Sequence, residues 1–175
     1  MLNYRIIPTK LSSIPYLVVV ATPRGLCYIQ PATTAEKGLI ELRQWINRCA
    51  SIQIIQSHTK PHKILDQACE ELKQYLDGKI REFQTPLDLE IAGTPFQRRV
   101  WGILQTLKYG TTCTYADIAE LLGTPKSYRA VGNANGQNPI CIVVPCHRVV
   151  SQKGVGGYSG GIAMKTALLE LERKK

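Results

Sequence analysis

Thirteen residues, the stretch NPICIVVPCHRVV from Asn138 to Val150, constrain this chain more than any others. Ile140 to Val144 is an unbroken apolar run of the kind that fills a fully buried strand. Pro145 lacks a backbone donor and proline is excluded from the middle of a sheet, so the ladder is expected to end there and turn the chain out of the core. The turn delivers a thiol and an imidazole side by side, Cys146 and His147, with Arg148 behind them. Neighbouring side chains in a strand point to opposite faces, so any contact between Cys146 and His147 needs a bend or a bridging water. A free cysteine is mostly protonated at neutral pH, and a working nucleophile needs a base or a positive field nearby; His147 and Arg148 are of those two kinds. The same three residues also fit a buried thiol beside a structural histidine.

Charge narrows the setting. Residues 1–90 hold 11 Lys and Arg against 9 Asp and Glu, whereas residues 91–175 hold 11 against 4, and no carboxylate occurs between Leu121 and Leu169. A half this basic is a candidate polyanion surface, with nucleic acid as the expected polyanion. No apolar run reaches the length of a membrane span and the first residues do not resemble a secretory signal, so the expected location is cytoplasmic with no membrane partner. The six cysteines lack CxxC spacing and the density of a disulfide-stapled domain, and read as free thiols.

Along the chain, YRIIPT, PYLVVVA and LCYIQ read as strands. Leu39, Leu42, Ile46 and Cys49 repeat at helical spacing. After IQIIQS, a second helix is expected from Ile64 to Asp77, with Leu65, Ala68, Leu72 and Leu76 in register and Gly78 as its stop. LDLEIAG alternates apolar with acidic residues, which predicts an edge strand or extended linker with one face in water. These features place a boundary near Gly93: an α/β domain over 1–92 and a mainly α domain over 93–175. The second half opens on TPFQ, where Thr94 caps, Pro95 takes the first turn and Gln97 completes a capping box. Val100, Ile103, Leu104 and Leu107 then form the buried stripe of a helix that Gly110 ends.

Next, Thr114 with Asp117 is a second capping pair, and Tyr115, Ile118, Ala119 and Leu122 share one helical face. A tight GTP turn leads to another helix, Lys126 to Asn135, stopped by the Asn135-Gly136 pair in the left-handed conformation. Two such helices make a helix-turn-helix, and the local charge favours a DNA-binding one, although two packed helices of any α/β protein give the same pattern. Ala130, Gly132, Asn133 and Ala134 are too short to reach base edges. Small residues suit close approach to a narrow minor groove into which one long side chain is inserted, and Arg129 is that candidate. His147 needs a carboxylate to hold its tautomer, and this half offers only Asp117, Glu120, Glu170 and Glu172.

NPICIVVPCHRVV, with GTPFQRRVW before it and GGYSGG after it, resembles the O6-alkylguanine-DNA alkyltransferases, also called methylated-DNA–protein-cysteine methyltransferases. The likeness runs in register from Gly93 to Glu172. It implies a ribonuclease-H-like α/β N-terminal domain, a C-terminal domain with a DNA-binding helix-turn-helix, and single-use transfer of an alkyl group from O6-alkylguanine in double-stranded DNA, with O4-alkylthymine as a second candidate substrate. It makes Cys146 the acceptor, His147 its water-linked base and Glu172 the residue that orients His147. Arg129 becomes the finger that fills the gap left by a flipped nucleotide, beside Ser127, Ala130 and Asn133 on the DNA face. Tyr115 crowds the adjoining phosphate and bonds the flipped guanine. Asn138 braces the turn between recognition helix and active site, and Pro145, Val149, Tyr158 and Ser159 line the guanine pocket. No cofactor is implied, and a monomer is expected.

The chemistry agrees with this. A base inside a duplex hides its O6 substituent and must be unstacked, and the charge developing on the departing guanine needs a donor, for which the Tyr115 hydroxyl is suited. An alkyl thioether has no good leaving group, so Cys146 stays modified. Two features sit apart from the family pattern. Cys141 stands where many relatives carry proline, either lining the pocket as a second thiol or lying inert in the core. His58 and His62, with Cys27 or Cys49, form a candidate zinc site. A helix-turn-helix regulator and a cysteine hydrolase are the competing functions.

Overall fold

The structure, a computed structural model, describes residues 2–49 and 62–174. The chain divides into two compact units, Met1–Ala92 and Gly93–Lys175.

In the first unit β1 (Asn3–Pro8), β2 (Tyr16–Ala21) and β3 (Leu26–Ala32) form an antiparallel sheet in the order β1-β2-β3. Tyr4 lies opposite Val20 and Val18 opposite Gln30, and a register shift falls at Val20/Ala21. From Leu17 to Ala21 every residue of β2 is buried, because both faces of this central strand are covered. Helix α1 (Ala35–Arg48) covers the face carrying Val18 and Val20 through Leu42, Trp45 and Ile46. Helix α2 (Lys63–Leu76) packs on β2 from the side of Leu17 and Val19 with Leu65, Ala68, Leu72 and Tyr75. Its inward stripe uses Tyr75 in place of the expected Leu76. The stretch IQIIQS and His58 lie outside the described residues.

LDLEIAG is not an edge strand. Only Leu87 bridges Leu26, and Leu89–Ile91 is a 3-10 turn. Its first acidic residue faces inward: buried Asp88 accepts from the Thr22 hydroxyl at 2.7 Å and from Arg24 Nε and Nη2 at 3.1 and 2.9 Å. A buried carboxylate with three donors is satisfied, and alternation alone does not reveal such partners.

The second unit is mainly helical. Helix α3 (Pro95–Leu104) starts with the complete Thr94–Gln97 capping box and buries Val100, Trp101 and Leu104. It stops at Leu104 rather than running to Gly110, since Thr106 and Leu107 donate to Ile103 and Leu104 in tight turns that leave the Leu107 carbonyl for Arg148. A two-residue strand, β4 (Cys113–Thr114), leads into α4 (Tyr115–Leu121), whose capping box joins Thr114 and Asp117. The chain reverses at left-handed Gly123 and passes through a 3-10 turn, Pro125–Ser127, into α5 (Tyr128–Gly136). Gly136 is the last residue of α5 and does not adopt the left-handed conformation, which falls at Gly123 instead. Trp101 Nε1 donates to the Ala134 carbonyl at 2.8 Å and ties α3 to α5. Helix α6 (Ile162–Arg173) closes the unit with Met164, Lys165, Leu168, Leu169 and Glu172 turned inward. Among the described residues no helix is long and apolar enough to cross a membrane.

Candidate active site

The apolar run before Pro145 is not a strand. Residues 140–144 fold as consecutive turns around Asn138, whose Nδ2 donates to the Val144 carbonyl at 2.7 Å while its Oδ1 accepts from the Ile140 N–H at 3.0 Å. Ile142 sits at φ 72°, left-handed backbone that costs a β-branched residue roughly 1–2 kcal/mol. Cys146–Arg148 follows as one 3-10 turn. Then β5 (Val149–Val150) pairs in parallel with β4, Cys113 opposite Val149 and Thr114 opposite Val150. Tyr115 directly follows β4, so this small ladder sets it beside the Cys146 turn. From α5, Asn135 Nδ2 donates to the Cys146 carbonyl at 3.3 Å.

Cys146 is 1% exposed. Burial pushes its thiol pKa up, against hydrogen bonds from Asn138 and Tyr158 and the charge of Lys165, which lower it; its Sγ lies 3.8 Å from the Tyr158 hydroxyl. His147 is fully buried, and desolvation holds its pKa below the usual histidine value although Glu172 opposes this. Its Nε2 lies 2.8 Å from Glu172 Oε1. The same carboxylate accepts from Arg148 Nε and Nη2, both at 2.9 Å at their shortest, and from the Gly110 N–H at 3.0 Å. Arg148 Nη1 reaches the Leu107 carbonyl.

Arg148 is therefore committed to Glu172 and the backbone. The cation that acts on the thiol is Lys165, which donates to the carbonyls of Val149 and Gly157 at 2.6 and 3.2 Å. Half-buried Tyr115 points its hydroxyl at the Gly157 carbonyl, 3.5 Å away; burial first, and the neighbouring Cys146 second, raise its pKa. Pro145 and Val149 are buried around this centre, and Ser159 lies exposed on the loop beyond Tyr158. Cys141 is sealed in the core at 1% exposure, its pKa raised by burial and by the charge of Cys146.

Arg129, Ala130 and Asn133 lie exposed on α5. Ser127 is half-buried and bonds Thr124. In the first unit His62 spends Nδ1 on the α2 N-terminus, accepting from Leu65 N–H at 3.3 Å, and the Cys27 thiol donates to the Val20 carbonyl. The described residues hold no group of three metal-ligating side chains, and His58 is outside them. Lys165 and Asn135 escaped the sequence reading. The signal for Lys165 is a lone cation on the buried stripe of α6, one turn after a glycine-rich loop; the sequence marks Asn135 only as a helix stop.

The chain was compared with known proteins. A family model described as the DNA binding domain of 6-O-methylguanine DNA methyltransferase matches residues 95–174. An inducible methylated-DNA–protein-cysteine methyltransferase of Bacillus subtilis is 39% identical over 158 residues, 89% of this chain and 83% of that relative. The chain belongs to the methylated-DNA–protein-cysteine methyltransferase family. A member from Mycolicibacterium paratuberculosis is 54% identical over 108 residues, 61% of this chain; that alignment spans 64% of the relative's own length. The crystal structure of Mycobacterium tuberculosis OGT in complex with DNA superposes with a TM-score of 0.74 at 38% identity, covering 98% of this chain and 92% of that one. The family's mixed α/β content is the one described above.

Proposed function

We propose that this protein repairs DNA by direct reversal, moving one alkyl group from O6-alkylguanine in double-stranded DNA to Cys146 in a single, irreversible event. The observation that carries this is a buried thiol on a 3-10 turn next to a hydrogen-bonded His147–Glu172 pair, in the unit that also holds the α4–α5 helix pair. Nε2 of His147 is engaged by Glu172, so Nδ1 is the nitrogen that takes the thiol proton through a water. Sγ attacks the alkyl carbon, the S–C bond forms as the C–O6 bond breaks, and the electron pair stays on O6 as the guanine carbonyl is restored. Tyr115 donates to the departing base as negative charge grows on it.

Exposed Arg129 occupies the place of the flipped nucleotide, while Ala130, Asn133 and Ser127 let α5 approach the groove closely. Asn138 closes the turn that presents Cys146. Pro145, Val149, Tyr158 and Ser159 border the guanine site, and O4-alkylthymine presents the same kind of O-alkyl carbon. The reading includes a ribonuclease-H-like N-terminal domain, supported by three antiparallel strands followed by a helix, and a C-terminal alkyltransferase domain from Gly93. It also takes the protein as a cytoplasmic monomer that needs no cofactor; six free thiols suit a reducing compartment.

The test is intact-protein mass after mixing excess duplex carrying O6-methylguanine with wild type and with Cys146→Ala. One methyl gained once, in wild type alone, is the expected result. A protein that binds the lesion duplex and gains no mass would be a lesion-binding or regulatory protein.

A further inference from the structure

Tyr128 has no role in the chemistry above and does not pack in the core. It is the first residue of α5, directly before Arg129, and 47% of its surface is exposed. Water solvates an aromatic face poorly, and an exposed ring at the start of a DNA-facing helix calls for a ligand with a flat apolar face. Three further observations say which. The Tyr128 ring borders a groove of about 490 Å³ that Tyr115, Ser151 and Lys153 also line, so it is continuous with the residue placed at the flipped guanine. The Arg129 guanidinium carbon lies 5.9 Å from the centre of the Tyr128 ring, a cation–π contact that couples the ring to the proposed finger. The surrounding stretch from Leu121 to Leu169 carries Lys126, Arg129 and Lys153 and no carboxylate. An aromatic platform edged by cations is the arrangement that holds a nucleobase and its phosphate.

We propose that Tyr128 is a stacking platform for the nucleobase next to the flipped guanine on the lesion-bearing strand, with the intervening phosphate held by Lys153 across the groove. Ser151 positions Lys153 for this: its hydroxyl accepts from the Lys153 N–H and donates to the Gly154 carbonyl, which fixes the turn on the far wall. The neighbouring base loses a stacking partner when the guanine leaves the duplex, and the Tyr128 ring replaces it. Arg129 is held against one face of the ring, so finger and platform act as one unit. This assignment rests on the alkyltransferase reading, because it presumes an extruded base.

Two measurements test it. In the first, methyl transfer is timed with duplex DNA and with free O6-methylguanine base. Replacing a stacking aromatic by alanine forfeits about 1–3 kcal/mol per base, so Tyr128→Ala lowers the ratio of duplex to free-base rate roughly 5- to 150-fold. Tyr128→Phe keeps the ratio; an unchanged ratio in Tyr128→Ala, or an equal fall in Tyr128→Phe, overturns the platform. In the second, 5-iodouracil is placed on either side of O6-methylguanine in duplex bound to Cys146→Ala protein, and irradiation joins it to an aromatic ring stacked on it. A crosslink to Tyr128 from one neighbouring position on the lesion strand is expected. No crosslink there, or one only from the opposite strand, overturns the proposal. A crosslink at Tyr128 from a protein whose wild type never gains a methyl sinks the transfer reaction and leaves the platform standing.

Discussion

Replacing Glu172 by glutamine separates the structural and chemical work of one carboxylate. Glu172 is 4% exposed, and its two oxygens accept from His147, Arg148 and the Gly110 backbone. The amide is isosteric but uncharged, and it leaves the Arg148 guanidinium, itself 6% exposed, without a counter-ion. Breaking a buried pair from one side costs about 3–5 kcal/mol, whereas replacing both partners is close to neutral. At roughly 4–8 °C per kcal/mol for a unit of this size, Glu172→Gln should lower the melting temperature of the second unit by at least about 12 °C. Arg148→Met/Glu172→Gln removes the stranded charge and forfeits the bond to the Leu107 carbonyl and the guanidinium's contact with the Tyr109 ring, 5.8 Å from its centre. Its stability should return to within about 2 kcal/mol of wild type. Methyl transfer should not return with it. His147 has lost its orienting anion in both proteins, and a misplaced general base costs roughly 10²–10⁴-fold in rate. The chain has two tryptophans, Trp45 in the first unit and Trp101 in the second, so unfolding of the second is read from Trp101 fluorescence in a Trp45→Phe background. Rates come from quenched-flow mass measurements. A double variant that recovers rate along with stability would refute the argument, for Glu172 would then only balance Arg148.

Burial lowers the pKa of His147 from 6.5 and raises that of Cys146 from 9.0, so the folded unit binds fewer protons than the unfolded chain on the acid side and more on the alkaline side. Stability should thus fall as pH drops below 6.5 through the depressed His147 value, and fall again as pH rises above 9.0 through the raised Cys146 value. Denaturation midpoints across pH test this: His147→Gln should flatten the acid limb above about pH 5, where carboxylates still titrate little, and an unaltered limb would assign it elsewhere. At Gly93, with φ 81°, an added Cβ would lie 2.3 and 2.5 Å from ring carbons of Trp101. Gly93→Ala should cost roughly 2–5 kcal/mol from left-handed strain plus overpacking, seen as a lowered midpoint for the second unit; a loss under about 1 kcal/mol would mean that the Trp101 ring yields freely.

What the sequence showed was whatever is settled within one helical turn. The Thr94–Gln97 and Thr114–Asp117 boxes need only residues three apart, and both form. The three strands of the first unit are equally local, since PYLVVVA has the apolar density of a central strand. The stretch from Ile140 to Val144 misled because its composition favours a strand, whereas the two hydrogen bonds of Asn138 close it into turns and hold Ile142 left-handed. Local preference yields there to a side chain two residues upstream of the apolar run. Helix α3 likewise stops short because a carbonyl is required by Arg148, 41 residues away. The Cys146 surroundings were legible as residue types and not as an electrostatic arrangement. Proximity in sequence pointed to Arg148 as the positive neighbour, while the thiol feels Lys165, brought in by α6.

That exchange changes what the site is. Arg148 and Glu172 neutralise each other, so they lend His147 orientation without adding net charge beside the thiol. Lys165 is fully buried, and its partners are two carbonyl oxygens and the Tyr158 ring, none of which carries a full negative charge. Burial lowers its pKa, and the anion that raises it again is Cys146. The coupling is reciprocal, because whatever a thiolate does for the ammonium the ammonium does for the thiolate. A buried lysine without a carboxylate is costly in a resting protein. Its charge offsets part of the penalty that burial places on the Cys146 thiolate, whose pKa stays above the ordinary thiol value, so the anion that would attack an alkyl carbon forms beside a compensating cation.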